Sequence, residues 1–372
     1  MADPAVPDPA AGVRRIPQSI TADYTAQEDI LAGYGQARFD IGATNVLVGL
    51  RVEKTDFEGS ATSVALSGAQ TPVKVDRDQT DFFPNLTLRH SFSDQLVGRF
   101  ALTRAISRPD YTDIVPRVLE TTDSGRTTVT RGNPDLKPTL SNNIDAGLEY
   151  YLRPLGVISA NAFYKDLSDI LASGSTVQQF SNAQGVSTDV QVNQQVNIGS
   201  GWIKGFEVGY QQTYSFLPGL WSGLGIEANY TYVEPSTFPN AVTEPRYVGL
   251  ELPLQQLSKH TYNFSVFYER DRLSARLAYN WRNGFLLTPR DDVNPFSPIF
   301  NDSTGQLDGS IFYTLNDNWK IGLYGANLLD EVTVTQQQTS YNLNGANQAG
   351  PLAPRSYFRS DRRVTFSLRY TF

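Results

Sequence analysis

The chain has 372 residues, no cysteine, two histidines and a formal net charge of −7. The lack of cysteine excludes disulfide frameworks and thiolate metal sites, and the interspersed charges of both signs argue against a nucleic-acid partner. No apolar run reaches the length of a membrane helix, so helical spanning is excluded, whereas a spanning barrel meets lipid with alternate residues only and escapes that test.

Residues 1–23 are rich in Pro, Ala and Asp and read as loop or linker. Met1-Ala2-Asp3-Pro4 opens without the cationic start and apolar core of a signal peptide. From there, alternation of period two predicts strands over 30–40, 46–55, 82–92, 96–107, 140–152, 157–171, 202–216, 224–233, 258–268, 273–286, 306–315, 319–329 and 363–372. Short turns (41–44, 93–95, 153–156, 217–219, 269–272 and 316–318) alternate with long connections at about 58–80, 108–139, 172–201, 234–257, 287–303 and 330–360. A soluble sandwich has no reason to sort its loops by length onto alternate ends; a membrane barrel has short periplasmic turns and long outer loops.

The faces agree with that reading. Leu224, Ile226, Ala228, Tyr230 and Tyr232 share one side of a strand, as do Leu273, Ala275, Leu277, Tyr279 and Trp281, while Glu227, Asn229, Arg276 and Asn280 share the other. A charge on the lipid side costs about 2–4 kcal/mol at the midplane, so an uncharged face is expected there. Tyr150, Tyr268, Trp319, Tyr370 and Phe372 fall near the turn ends and Tyr232, Tyr262 and Trp281 near the loop ends, as two interfacial girdles.

Gly132-Asn133-Pro134-Asp135-Leu136-Lys137-Pro138, preceded by Arg131, forms a rigid polar turn in which Asp135 is expected to accept backbone bonds and Pro138 to stand at a strand start. The following Ile144, Ala146, Leu148, Tyr150 and Leu152 make an apolar strand face. This turn resembles the element that leads from an outer loop into a barrel strand in TonB-dependent outer-membrane receptors. Residues Thr103 to Tyr111, Ala326-Asn327-Leu328-Leu329-Asp330-Glu331 and the aromatic terminus Phe372 resemble the same family, and Arg108-Pro109-Asp110-Tyr111 resembles its Caulobacter-type members.

The resemblance implies an all-β fold, an antiparallel transmembrane β-barrel in the outer membrane, with about 13 strands here of a likely 22. Residues 24–372 are then the C-terminal portion of the barrel, and the plug domain and about nine strands are expected to lie outside this chain. It also implies active uptake of a scarce ligand, an oligosaccharide or a ferric siderophore, with coupling to the TonB complex only through the missing plug. The other partners expected are outer-membrane lipid and the barrel assembly machinery. The last strand, with Val364, Phe366, Leu368, Tyr370 and Phe372, resembles the signal that machinery reads, so loss of Phe372 or Tyr370→Asp is expected to impair insertion. A passive pore, a non-functional truncated remnant and a soluble all-β binding protein are the alternatives; bilayer conductance and detergent-free purification separate the first and last.

Strand number gives a further expectation. Thirteen antiparallel strands cannot close antiparallel upon themselves, so an open sheet or a strained closure is expected between the first and last strands. Ligand contacts, if this portion makes them, are expected from the loop side: Arg108, Tyr111, Arg131, Tyr247, Arg282 and Tyr341, since rings stack on sugars and guanidinium groups hold anions. Tying loops together is the alternative role for each.

No enzyme and no cofactor is expected. His90 and His260 lack metal-ligand partners at useful spacing and are expected at the interfaces. Gly223-x-Gly225-x-x-Ala228 mimics a dinucleotide fingerprint but lies inside a strand. Residues 301–308 lack the acidic positions of a calcium loop and read as a polar turn, and Arg355, Arg359, Arg362 and Arg363 as a solvated loop base.

Overall fold

The computed structural model describes residues 23–64, 70–123, 126–181, 187–239, 250–290, 297–343 and 346–371. Thirteen strands form one antiparallel sheet: β1 (Tyr24–Ile41), β2 (Thr44–Val64), β3 (Gln70–Ser91), β4 (Leu96–Ser107), β5 (Thr139–Leu152), β6 (Gly156–Ser168), β7 (Gly201–Thr213), β8 (Leu224–Pro235), β9 (His260–Arg270), β10 (Leu273–Arg282), β11 (Thr304–Thr314), β12 (Trp319–Ala326) and β13 (Arg363–Tyr370). Each pairs only with its sequence neighbours, and β1 does not pair with β13. Among the described residues the sheet is therefore open, the first of the two outcomes expected from the odd count.

The registers sort the side chains onto two faces. Val46 opposes Leu88 and Leu50 opposes Pro84 across β2 and β3; Leu102 opposes Ile144, and Leu148 opposes Ala160, across β4, β5 and β6. This face stays uncovered: Leu148, Leu277 and Leu323 are each about half exposed. Water does not tolerate so long an apolar surface on a monomer, whereas hydrocarbon does. Aromatic rings edge it, with Trp319 against Tyr370 at 4.8 Å on the turn side and Tyr262 stacked on Trp281 at 4.9 Å on the loop side. His260 bonds the Tyr230 hydroxyl at 2.7 Å and His90 bonds the Thr44 hydroxyl at 2.7 Å, both at strand ends.

The opposite, lumenal face is polar and internally paired. Arg99 holds Glu149 with two bonds of 2.8 and 3.1 Å, and Arg276 bonds Glu227 at 2.8 Å.

Several expected boundaries are corrected. Residues 58–80 are not a long loop, because β2 and β3 stay in register from Thr44–His90 to Val64–Gln70. The charges of Lys54 and Asp56, paired at 2.9 Å, end the apolar band on β2. Beyond them the ribbon continues to Val64, for about 26 Å at about 3.3 Å per residue. The strands expected to reach 171 and 329 stop at Ser168 and Ala326, where Asp169 (φ 54) and Asn327 (φ 52) turn the chain. That expected over 273–286 ends at Arg282, and Phe285–Thr288 restarts in another sheet. The strand expected to 216 ends at Thr213, and its turn is longer than 217–219, with a 3-10 turn over Gly219–Gly223. Phe372 and residues 1–22 lie outside the described residues.

The long connections carry strands of their own. Val118–Asp123 and Arg126–Arg131, from the loop after β4, join Ser187–Asn197 and Leu171–Ser181, from the loop after β6, through a parallel pairing of Gln191–Asn193 with Thr128–Thr130. Likewise Phe285–Thr288 and Ile299–Asn301, after β10, join Val332–Leu343 and Ala346–Arg359, after β12. Buried apolar side chains gather under these loops: Phe57, Val75, Ile114 and Val115 in one cluster, Val129, Val190 and Val192 in another.

Candidate ligand-binding rim

The polar turn at 132–138 fastens two loops to the sheet. A Cβ at Gly132 would lie 1.8 Å from the Val115 carbonyl oxygen, so only glycine lets the segment pass. The Gly132 amide donates to Arg117 O (3.0 Å), and the Asn133 side chain donates to Gln195 O (3.0 Å) in the neighbouring loop. Among the described residues Asp135 is not the acceptor expected of it; the Asn133 side-chain oxygen accepts the Asp135 N–H at 3.1 Å, since the shorter reach of an Asx turn places Asn133 first. Leu136 is fully buried beneath the turn. Asn197 completes the attachment. Its side-chain oxygen accepts from the Lys137 amide (2.9 Å), and its amide group donates to Lys137 O (2.9 Å) and Asp169 O (2.7 Å).

A second fastening lies at 326–331. Asn327 N donates to an Asp308 carboxylate oxygen (2.9 Å), Glu331 N to the Asn327 side chain (2.8 Å), and Gly305 N to Glu331 (3.1 Å). The Arg359 guanidinium pairs with Asp330 and holds its carboxyl below the usual range. Arg359 thereby ties the end of the loop after β12 to the segment where that loop begins.

Of the six candidate ligand residues, the structure brings two together. Arg108 bonds Glu53 (2.8 Å) and Thr55 (3.2 Å) on β2, and Arg51 bonds the same Glu53 at 2.6 Å. Tyr111 donates to Glu28 on β1 (3.3 Å), with its ring 5.6 Å from that of Phe57. The segment 108–117, with a helical turn at Tyr111–Ile114, thus lies over the lumenal side of β1 to β3. Arg131 sits apart, bonded to Gln194 at 2.7 Å within the first loop sheet. Arg282 belongs to the other loop assembly, bonded to Ser258 (2.9 Å) and Gln256 O (2.9 Å) with its guanidinium 3.9 Å above the Phe285 ring. Tyr247 and the Tyr341 side chain lie outside the described residues. Sequence reasoning missed the partners Glu28, Glu53, Gln194 and Asn197, because each lies far along the chain from the residue it holds.

Asp113, in the helical turn, has its pKa raised, first by burial and then by the Asp110 carboxylate, with Arg117 opposing. A folded pKa above the unfolded one gives stability that is full below the unfolded pKa and is lost as pH rises through the folded pKa. Asp113→Asn is therefore expected to raise the protease resistance of residues 108–117 at neutral pH. It is also expected to flatten the pH dependence above the ordinary Asp range near about 4. Equal digestion of both proteins from acid to neutral pH is the contrary result.

A family profile described as TonB dependent receptor-like, beta-barrel matches residues 2–328. No curated protein sequence matches the chain. Among solved structures, a mutant of the Pseudomonas aeruginosa ferric enterobactin receptor in complex with enterobactin is similar, with TM-score 0.58 and 16% identity over 94% of this chain and 55% of that one. The Yersinia pestis ferric yersiniabactin uptake receptor aligns with TM-score 0.60 and 16% identity over 94% of this chain and 46% of that one. The ferric-catecholate import receptor of E. coli K12 aligns with TM-score 0.60 and 14% identity over 94% and 45% of the two chains. The chain thus spans about half the length of the receptors it resembles.

Proposed function

Because the chain belongs to the TonB-dependent receptor β-barrel family, an outer-membrane transport family, we propose that it forms part of the wall of a receptor for energised uptake of a scarce ligand, an oligosaccharide or a ferric siderophore. One observation carries this reading: a sheet with one uncovered apolar face and one polar face, the polar side overlain at its loop end by interlocked loops. An apolar wall suits lipid, and a polar lumen beneath structured loops suits capture of a solute from outside.

The unpaired edges of β1 and β13 are sites for further strands, since hydrocarbon leaves no unpaired backbone group satisfied. In this reading residues 24–372 are barrel, completed to 22 strands by about nine others, and a plug domain outside them couples the wall to the TonB complex. Arg108, Tyr111, Arg131 and Arg282 then shape the loops that contact ligand. The test is uptake of labelled ligand in the native cell, with the chain intact or inactivated, before and after collapse of the proton-motive force. Uptake that needs both the chain and the gradient is expected. Uptake that survives collapse identifies a passive pore, and uptake indifferent to the chain overturns the transport reading.

A further inference from the structure

The lumenal wall between β10 and β13 contains a niche that none of the candidate residues lines. It has a volume of about 490 Å³ and is bounded by Arg276, Asp308, Ser310, Tyr324, Arg363 and Thr365. The registers place these six on one face, with Arg276 opposite Ser310, Ser310 opposite Tyr324, and Tyr324 opposite Thr365. Gly309 and Gly325 contribute to the lining as well. The niche runs from mid-strand toward the loop end, where Ala326 closes β12 and Arg363 opens β13.

Three features define its chemistry. Tyr324 exposes its ring on this face, braced edge-on by Phe312 at 4.8 Å. Asp308, which lines the niche, accepts from Gln306 (2.8 and 3.0 Å) and from the Asn327 amide (2.9 Å), and its carboxylate keeps further lone-pair capacity. Arg363 has no hydrogen-bond or ion-pair partner among the described residues, so its donors are unspent. The charges nearly cancel: Arg276 and Arg363 are offset by Asp308 and by Glu227, which bonds Arg276 at 2.8 Å. A multiply anionic ferric siderophore gains little from such a balance. A ring bearing several hydroxyls uses all of it, with donors to Asp308, acceptors for the guanidinium groups, and an apolar face for the tyrosine.

Resting on the uptake reading, we propose that this niche is a subsite for a neutral, polyhydroxylated ligand, one sugar unit of an oligosaccharide, stacked on Tyr324 and held between Asp308 and Arg363. The test titrates the complete receptor that carries this chain in its wall, in detergent micelles, by calorimetry, with neutral hexasaccharides of glucose, xylose and galactose, and with a ferric tris-catecholate. At least one hexasaccharide is expected to bind. Tyr324→Ala and Arg363→Gln are expected to weaken it about 3–10-fold each, Tyr324→Phe to restore most of the affinity, and circular dichroism to stay unchanged throughout. Asp308→Asn, which keeps the oxygen that the Asn327 amide needs, is expected to weaken binding without loosening the 326–331 segment. No binding of any hexasaccharide, or variants that bind as the parent does, overturns the subsite. So does Arg363-dependent binding of the ferric tris-catecholate, which leaves the uptake reading intact; that reading falls only with the gradient experiment.

Discussion

Gly132→Ala is expected to release the two loops after β4 and β6 from the sheet while the membrane wall stays folded. The methyl would lie 1.8 Å from the Val115 carbonyl oxygen and 2.7 Å from its carbon, and backbone cannot swing aside as a side-chain tip can. The segment must shift, and the bonds of Gly132 to Arg117 and of Asn133 to Asp113 and Gln195 shift with it. Overpacking of this kind costs about 1–3 kcal/mol, and the lost bonds add about 1 kcal/mol each. Limited proteolysis is expected to cut within 118–131 and 171–197 in the variant well before the parent. Gel mobility of unheated samples, which reports the folded wall, is expected to be unchanged. Equal protection of the loops in both proteins would rule out a fastening role for residues 132–138.

The second large effect turns on which side of β13 a charge falls. Phe366 opposes Leu323 on the apolar face, and Ser367 opposes Gly322 on the lumenal face. Phe366→Arg places a guanidinium in hydrocarbon at a cost of about 2–4 kcal/mol near the midplane, whereas Ser367→Arg meets a polar lumen. Phe366→Arg is expected to abolish membrane insertion of a barrel carrying this strand and Ser367→Arg to leave most of it, as read by membrane fractionation and immunoblotting. Both variants inserting equally would contradict the assignment of faces. The same strand holds the expected assembly signal, of which Phe366, Leu368 and Tyr370 share the apolar face with Val364.

The sequence was legible wherever lipid imposes a constraint. Hydrocarbon demands an apolar residue at every second position, so the spanning part of each strand is written in its alternation, and the thirteen strands of the sheet are those the alternation predicts. Above the membrane that demand lapses. Asp56, Glu58 and Ser60 continue β2 on the side that lipid no longer covers, where their polarity looks the same as that of a loop. Strands within the loops were hidden for another reason. Val190 and Val192 are buried against Val129, and nothing local to either segment names the other as its partner. The rim residues were found by type but not by role. An arginine beside an outer loop has the same signature whether it awaits a ligand or, like Arg108, already holds Glu53. Asp308 was read only as the end of a polar turn over 301–308, whereas Thr304–Thr314 is strand, and Tyr324 was not singled out; the meaning of both depends on neighbours three strands wide.

The parallel pairing between Arg126–Arg131 and Ser187–Asn197 makes two separate outer loops answerable to each other. Their closure entropies are not independent, since each is shortened by the anchoring of its neighbour. A residue inserted into one slips the register of the other and moves its side chains to the opposite face. Variation at this surface should therefore be inherited in matched halves. A graft that carries one loop into another receptor without its mate should arrive as an unstructured tether.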